Sequence, residues 1–287
     1  MQENVKSWAV VSKLLRQDIA DQRLRIIIPT MNAEDYIDII LDFYEEIGLP
    51  VTVFVDSKSE DTTKTRVEAR GVETLVLNNS SAIVEGMIQE LSIRSGTEWV
   101  LRMDDDELPS KAMLTHVQKV LSDKTINSVG FPRLQCAVTE TAKLKASKLH
   151  PSTSHIQWRL YRPNKVPYTT EIHTPGFIPD GKTSAVAPIE ATMIHLDWSL
   201  HSYENRRAKV KRYDAHSDGL GSAWENYYLW EDDKEHGKKN LFTVDLPEFS
   251  NTALSVKNRL PQNCVVEKSY LNAIKKWMVN FTNPTRR

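Results

Sequence analysis

The stretch Glu98-Trp99-Val100-Leu101-Arg102-Met103-Asp104-Asp105-Asp106-Glu107 runs from an apolar segment directly into four adjacent carboxylates. Its first part is nearly continuous in apolar character rather than alternating, the pattern of a strand covered on both faces. Its second part concentrates negative charge at the end of that strand. Neighbouring carboxylates repel one another, and burial makes each charge more costly. A hard divalent cation with oxygen ligands relieves both penalties and keeps open positions for a phosphate. The plain alternative is a solvated acidic turn before a helix near Ser110, with Asp106 or Ser110 as its N-cap.

Working outward, the same strand type recurs upstream. Leu24 to Pro29 is β-branched and ends in a breaker, Val51 to Val55 ends in Asp56, and Val72 to Leu77 reads as a further strand. Between them lie helical patterns. Trp8, Val11, Leu14, Leu15 and Ile19 mark one over about Ser7 to Asp21; Ile37, Ile40, Leu41, Tyr44 and Ile47 mark a second; Ser80 to Ser95 makes a third. Continuous apolar strands, each followed by a helix, predict a mostly parallel sheet flanked by helices. Ligands of such sheets bind beyond the carboxyl ends of the strands. Pro29-Thr30-Met31-Asn32, Asp56 to Asp61 and the acidic run therefore converge on one edge.

After about Asn127 the pattern changes to strands separated by Pro- and Gly-bearing loops: Val129 to Arg133, Ile156 to Tyr161 and Thr192 to Leu196. Helices are expected over Tyr203 to His216, Ala223 to His236 and Val265 to Phe281. The organisation expected is an N-terminal helix over 1–23, a catalytic domain over 24–215 and a helical C-terminal extension over 216–287. Within the catalytic domain, 24–126 forms one half and 127–215 the other.

Composition sets the outer limits. At 287 residues with a net charge of -1, the chain has no global attraction for nucleic acid or an anionic membrane. Cys136 and Cys264 are too few and too far apart for a zinc site or disulfide framework. No apolar run reaches the roughly 20 residues that span a bilayer. The opening residues lack the order of a signal peptide, so the expected location is cytoplasmic, with peripheral membrane contact still compatible. The phosphate-cradling GxGxxG and GxxxxGK[ST] patterns are missing, as is GxSxG. An α/β sheet that binds phosphate without glycine-rich loops must use a metal and side chains.

Three segments in order, Ile28-Pro29-Thr30-Met31-Asn32-Ala33-Glu34, Val55 to Thr62, and Leu101-Arg102-Met103-Asp104-Asp105-Asp106-Glu107, resemble the nucleotide-sugar-binding half of family 2 glycosyltransferases with the GT-A fold. Trp158 to Pro163, Glu171-Ile172-His173, and His195 ahead of a basic helix resemble a branch of that family. The resemblance spans roughly residues 24 to 215. It departs at Ser57 and Lys58, where acidic and glycine residues are common, and at Ser80-Ser81 and Arg94-Ser95. It implies a metal-dependent, hexosyltransferase-like enzyme moving a sugar from a nucleoside-diphosphate donor, UDP-sugar favoured, to a glycan, lipid-linked or protein acceptor with inversion. Pro29, Thr30, Asn32 and Glu34 would frame the nucleotide pocket, and Asp56 would accept a hydrogen bond from the base. Asp104 and Asp105 would line the donor site, and Asp106 would coordinate Mn²⁺ or Mg²⁺. A non-catalytic nucleotide-sugar or carbohydrate-binding module on the same fold is the alternative.

Further residues enter from the chemistry. His195 and Asp197, at i and i+2 on an expected strand, share a face; His195 is a candidate metal or diphosphate contact, or else a hydrogen-bonded core histidine. Arg206, Lys209 and Tyr213 fall on one helical face, with Lys211 and Arg212 nearby, as a diphosphate-binding lid or a solvated basic face. Arg159 and Arg162 alternate poorly with the strand burial of Trp158 and Leu160, so at least one should reach an anion or carboxylate. Arg159 is counted among the donor contacts. Inverting transfer needs a base on the acceptor hydroxyl. Glu171, beside His173, is the best placed, with Asp180 and Glu190 as competitors. Trp158, Tyr168, Trp198 and Trp224 offer faces for sugar stacking, with at least two expected in the core.

Overall fold

The computed structural model describes residues 8–79, 84–147, 156–171, 174–216, 219–232 and 241–266. The expected last helix falls almost wholly outside these residues, as do His173 and the start of the helix expected at Ser80.

The first half is built as the apolar pattern requires. Helix α1 (Trp8–Ala20) leads into β1 (Leu24–Thr30), α2 (Ile37–Glu46), β2 (Thr52–Asp56), α3 (Thr63–Ala69), β3 (Glu73–Leu77), α4 (Ile88–Ser95) and β4 (Trp99–Arg102). The strands lie in the order β3-β2-β1-β4, all parallel. Both faces are covered. Ile26, Ile28, Val53, Val55 and Leu101 pack with Val11, Leu15 and the apolar side of α2. Ile27, Phe54 and Val100 face Ile88 and Leu91 of α4. Burial on two faces is why these strands do not alternate.

The second half adds β5 (Glu107–Pro109), α5 (Lys111–Val120), β6 (Ser128–Val138), β7 (Leu144–Ser147), β8 (Ile156–Tyr161), β9 (Ser184–Val186) and β10 (Met193–His195). Then come α6 (Asp197–Leu200), α7 (Tyr203–His216), α8 (Leu220–Ala223), α9 (Glu225–Tyr228), β11 (Leu241–Thr243) and α10 (Ser250–Arg259). Strand β8 runs antiparallel between β4 and β6, carrying the sheet into a mixed region. The long β6 pairs with β8 and β9 at its start and with β7 and β10 at its end. One pairing positions the site: β10 lies between β6 and the short β5, setting His195 opposite both Gln135 and Glu107.

The residues beyond 216 are knit into the same core. Strand β11 pairs with β7, and α10 packs on α2, with Phe249 stacked on Phe43 at 5.6 Å between ring centroids. Among the described residues, no helix is long and apolar enough to cross a membrane.

Three local expectations are corrected, and one choice between alternatives is settled. The strand through His195 stops there, and Asp197 opens a helical turn instead of sharing a strand face with His195. The single helix expected from Ala223 is two short helices on either side of Trp224, whose φ of -109° and ψ of 8° break the run. Of the two possible caps for α5, Ser110 accepts the Met113 N–H at 3.1 Å, which frees Asp106 for other partners. Helix α4 begins at Ile88 after a 3-10 turn over Val84–Met87.

Candidate active site

At the carboxyl edge of the parallel strands, the loops after β1 and β2 are stapled to each other. Asn32 takes a left-handed conformation (φ 53°) that asparagine tolerates. Its backbone N–H donates to Ser59 Oγ at 3.2 Å, and its side-chain oxygen accepts the Glu60 N–H at 2.9 Å. Glu34 Oε2 accepts both the N–H and the hydroxyl of Thr62, at 3.0 and 2.7 Å. Asp61 answers from the other loop, accepting the Glu34 N–H and the Thr63 N–H, each at 3.0 Å. Asn32 and Glu34, expected around a nucleotide, thus hold two loops in register. Asp56, at the end of β2, is buried; its carboxylate accepts the Lys58 N–H at 2.9 Å and the Asn79 amide at 2.8 Å.

The acidic run is divided among separate partners. Asp104 Oδ2 takes Arg159 Nη2 at 2.5 Å. Glu107 turns inward, fully buried, and receives Arg159 through Nε at 2.8 Å and Nη2 at 2.7 Å, with Arg133 at 3.2 Å. Burial, with Asp104 close by, pushes the Glu107 carboxyl upward against the pull of Arg133. Asp105 Oδ2 accepts the hydroxyls of Thr30 at 2.5 Å and Tyr36 at 3.0 Å. Burial and the neighbouring Asp106 push the Asp105 carboxyl up to about 6.

Asp106 alone of the four enters a cluster with residues from β10 onward. Asp106, Asp197 and His201 each present a ligand atom, all within 4.8 Å of one another. His195 Nε2 lies 3.1 Å from Asp106 Oδ2. Lys209 Nζ reaches Asp197 Oδ1 at 2.9 Å, and His201 Nδ1 lies 3.2 Å from the same oxygen. Burial would raise the Asp106 carboxyl, but His195 and then Lys209 hold it well below the usual range. Burial likewise opposes ionisation of Asp197, and Lys209 and His201 overcome it. The His201 imidazole is held above its ordinary value by Asp197 in spite of burial. For His195 burial wins over Asp106, so its ring is biased towards neutrality.

A neutral His195 has one N–H, and Asp106 is positioned to take it. Nδ1 then accepts. Its neighbours are the Tyr227 hydroxyl at 3.0 Å and the Gln135 amide, whose Nε2 is buried without a partner. Turning that amide over supplies Nδ1 with a donor. His195, expected as a metal contact or else a hydrogen-bonded core histidine, has Nε2 on Asp106 and Nδ1 beside Gln135 and Tyr227. The ligand-like positions belong to Asp197 and His201. Their spacing of four residues, which places side chains on one side of a helical turn, was the available signal. Reading the segment as strand concealed it.

A divalent cation fits the three groups. The two carboxylates suit Mn²⁺ or Mg²⁺, and the imidazole favours Mn²⁺ over the oxygen-seeking Mg²⁺. Asp197 Oδ2 and His201 Nδ1 are buried with no hydrogen-bond partner, an unmet demand that a cation would satisfy.

Other expected residues lie elsewhere. Arg159, counted as a donor contact, is 1% exposed and lies beneath the acidic run. Arg162 also meets a carboxylate, Glu98, so both arginines are paired. Arg206 faces away from the cluster. Its two Nη atoms meet Glu231 at 2.9 and 2.5 Å, and Nη1 also donates to the Tyr228 carbonyl, because a buried guanidinium needs a carboxylate. Of the expected lid, only Lys209 reaches the cluster. Pro29 lies in β1 beside Phe54 of β2. Glu171 is exposed, within a loop whose stem pairs Tyr168 with Phe177 and whose Pro175 carbonyl lies 3.5 Å from Arg102 Nη1. Trp198 is core, stacked on Trp230 at 4.9 Å; Trp158 and Tyr168 are half-buried, and Trp224 is exposed.

No family model matches the chain, and no curated protein matches it. Among solved structures it is similar to S. aureus TarS 1-349, with 17% identity over 84% of this chain and 80% of that one, at a TM-score of 0.43. The same protein in complex with UDP-GlcNAc matches at 14% identity over 83% of this chain and 82% of that one, TM-score 0.45. A CMP:2-keto-3-deoxy-manno-octonic acid synthetase complexed with CTP is similar over 50% of this chain and 75% of its own, with 12% identity and a TM-score of 0.31.

Proposed function

We propose that this chain is a metal-dependent glycosyltransferase of the GT-A type, transferring a sugar from a nucleoside-diphosphate donor with inversion. The observation that carries the reading is the cluster Asp106, Asp197 and His201, with ligand atoms within 4.8 Å, beside the strand ends where such sheets bind ligands. The ordered resemblance of the three strand-end segments to family 2 enzymes supports the same assignment.

In this reading residues 24–126 hold the donor and residues 127–215 shape the acceptor side. Asp106, Asp197 and His201 hold Mn²⁺ or Mg²⁺, which when bound neutralises the charge developing on the diphosphate leaving group. The other residues keep that site in shape. Arg159 orients Asp104, Thr30 and Tyr36 orient Asp105, and His195 orients Asp106. Lys209 contributes positive charge next to Asp197. Glu171, two positions before His173 in the sequence, takes the proton of the acceptor hydroxyl. The acceptor is a glycan, a lipid-linked intermediate or a protein.

Donor hydrolysis measured with UDP-, GDP- and dTDP-sugars, with Mn²⁺ and with EDTA, tests the proposal. The expected result is turnover with one donor that EDTA abolishes and Asp106→Asn removes. Turnover insensitive to EDTA would refute the metal assignment. Donor binding without any turnover would instead favour a non-catalytic binding module.

A further inference from the structure

We propose that Tyr36 is a positioning residue whose single hydroxyl fixes the tautomer and direction of His201 toward the metal. This rests on the reading of Asp106, Asp197 and His201 as the metal-holding groups.

Tyr36 stands at the N-terminus of α2, 4% exposed, and its ring meets the His201 imidazole edge-on at 4.9 Å between centroids. The hydroxyl lies 3.0 Å from Asp105 Oδ2 and 3.1 Å from His201 Nε2. A carboxylate only accepts, and Asp105 Oδ2 already takes the Thr30 hydroxyl at 2.5 Å. The Tyr36 O–H is therefore committed to Asp105. Its oxygen is left as an acceptor, and His201 must donate from Nε2. In the neutral ring that a metal requires, that places the lone pair on Nδ1. Nδ1 is buried, lacks a hydrogen-bond partner and lies 3.2 Å from Asp197 Oδ1. Without a metal a proton on Nδ1 can meet that carboxylate oxygen, and a bound cation would take the proton's place between them. A metal-ligating histidine commonly donates its other N–H to a partner that fixes its orientation. Here that partner is a tyrosine, and the carboxylate behind it belongs to the acidic run, so β1, α2 and the turn after α6 are tied through one oxygen atom.

The test is Mn²⁺ affinity, read from the electron paramagnetic resonance signal of free Mn²⁺ in the absence of donor. Tyr36→Phe keeps the ring and removes the hydroxyl; the expected result is a Kd weakened about 10- to 100-fold, with a melting temperature in EDTA lowered by no more than about 5 °C, the loss of one buried hydroxyl's hydrogen bonds. Tyr44→Phe, also on α2, removes a buried hydroxyl that has no partner and should leave the Kd unaltered. A Tyr36→Phe Kd within twofold of the wild-type value overturns the proposal and leaves the metal reading standing. Failure of the wild-type protein to bind Mn²⁺ overturns both. If Tyr36→Phe does not fold, ¹⁵N shifts of His201 in the Mg²⁺-loaded wild-type protein decide the matter: a proton on Nε2 supports the proposal, and one on Nδ1 overturns it.

Discussion

Replacing Arg159 by methionine should destabilise the protein more than any other single change to the acidic run outside the ligand cluster. The guanidinium makes three contacts of 2.5 to 2.8 Å with Asp104 and Glu107, and its side chain is 2% exposed. Without it, Glu107 retains only Arg133, at 3.2 Å, among its ion-pair partners, and the Glu107 side chain is 0% exposed. Asp104 is better placed, because its side chain is 28% exposed and can be hydrated. Most of the cost therefore falls on Glu107. Removing one partner of a buried pair costs about 3–5 kcal/mol. With a urea m-value of about 3 kcal/mol/M for a chain of this size, the midpoint falls by about 1–1.7 M.

The deficit depends on pH. Loss of Arg159 raises the folded-state pKa of Glu107 further above its unfolded value of about 4.3. The folded form then binds more protons than the unfolded one, so stability declines as pH rises. Burial and Asp104 already raise the wild-type carboxyl to about 8, so the gap from wild type should be nearly constant between about pH 5 and 7 and widen as pH rises through about 8. Glu107→Leu combined with Arg159→Met removes the stranded charge, and the double variant should be more stable than Arg159→Met alone, with a coupling of about 0.5–3 kcal/mol. Urea unfolding followed by tryptophan fluorescence at three pH values measures all of this. A cost below about 1 kcal/mol for Arg159→Met, or strict additivity in the double variant, would refute the reasoning.

Other substitutions probe different parts of the site. Mn²⁺ at about 100 times its Kd should stabilise the wild-type protein by about 2.7 kcal/mol, a rise of roughly 5–10 °C in melting temperature. Asp106→Asn and Asp197→Asn should abolish that rise, and a rise of wild-type size in either would count against the cluster. Gly176 has φ of 79°, and a Cβ there would lie 2.5 Å from Ile88 Cγ1, so Gly176→Ala should cost about 1–3 kcal/mol. It should also lower kcat through the loop bearing Glu171, while Mn²⁺ affinity stays constant. For Asp61, burial opposes ionisation, but hydrogen bonds from Thr63 and the Glu34 N–H hold its carboxyl below the ordinary value. Its stabilisation is thus present above the unfolded pKa and lost as pH falls through the folded one. Asp61→Ala should cost about 1 kcal/mol at pH 7, a difference that closes below about pH 4 in acid-unfolding titrations.

The contrast between Asp106 and its neighbours shows which parts of the chain could be read in advance. Unbroken apolar strands and their intervening helices are local patterns, so the parallel order of β1 to β4 and the convergence of their ends followed from them. The division of labour inside the acidic run did not. It depends on β10 entering between β5 and β6, which sets His195 against both Glu107 and Gln135. Strand β5 is three residues long and ends in proline, too short to carry a periodic signal. Arg159 and Glu107 are fifty-two positions apart, and no spacing rule links them. Asn32 and Glu34 have residue types that suit a ligand, yet they satisfy the backbone of the neighbouring loop, a need visible only once both loops share an edge. The strand pattern places the acidic run at the carboxyl edge of the sheet, but the partner of each carboxylate was not written in it. Folding gave Asp104, Asp105 and Glu107 partners from β1, α2, β6 and β8 and set Asp106 against His195, Asp197 and His201, because each buried carboxylate needs hydrogen bonds or opposite charge to offset its lost hydration.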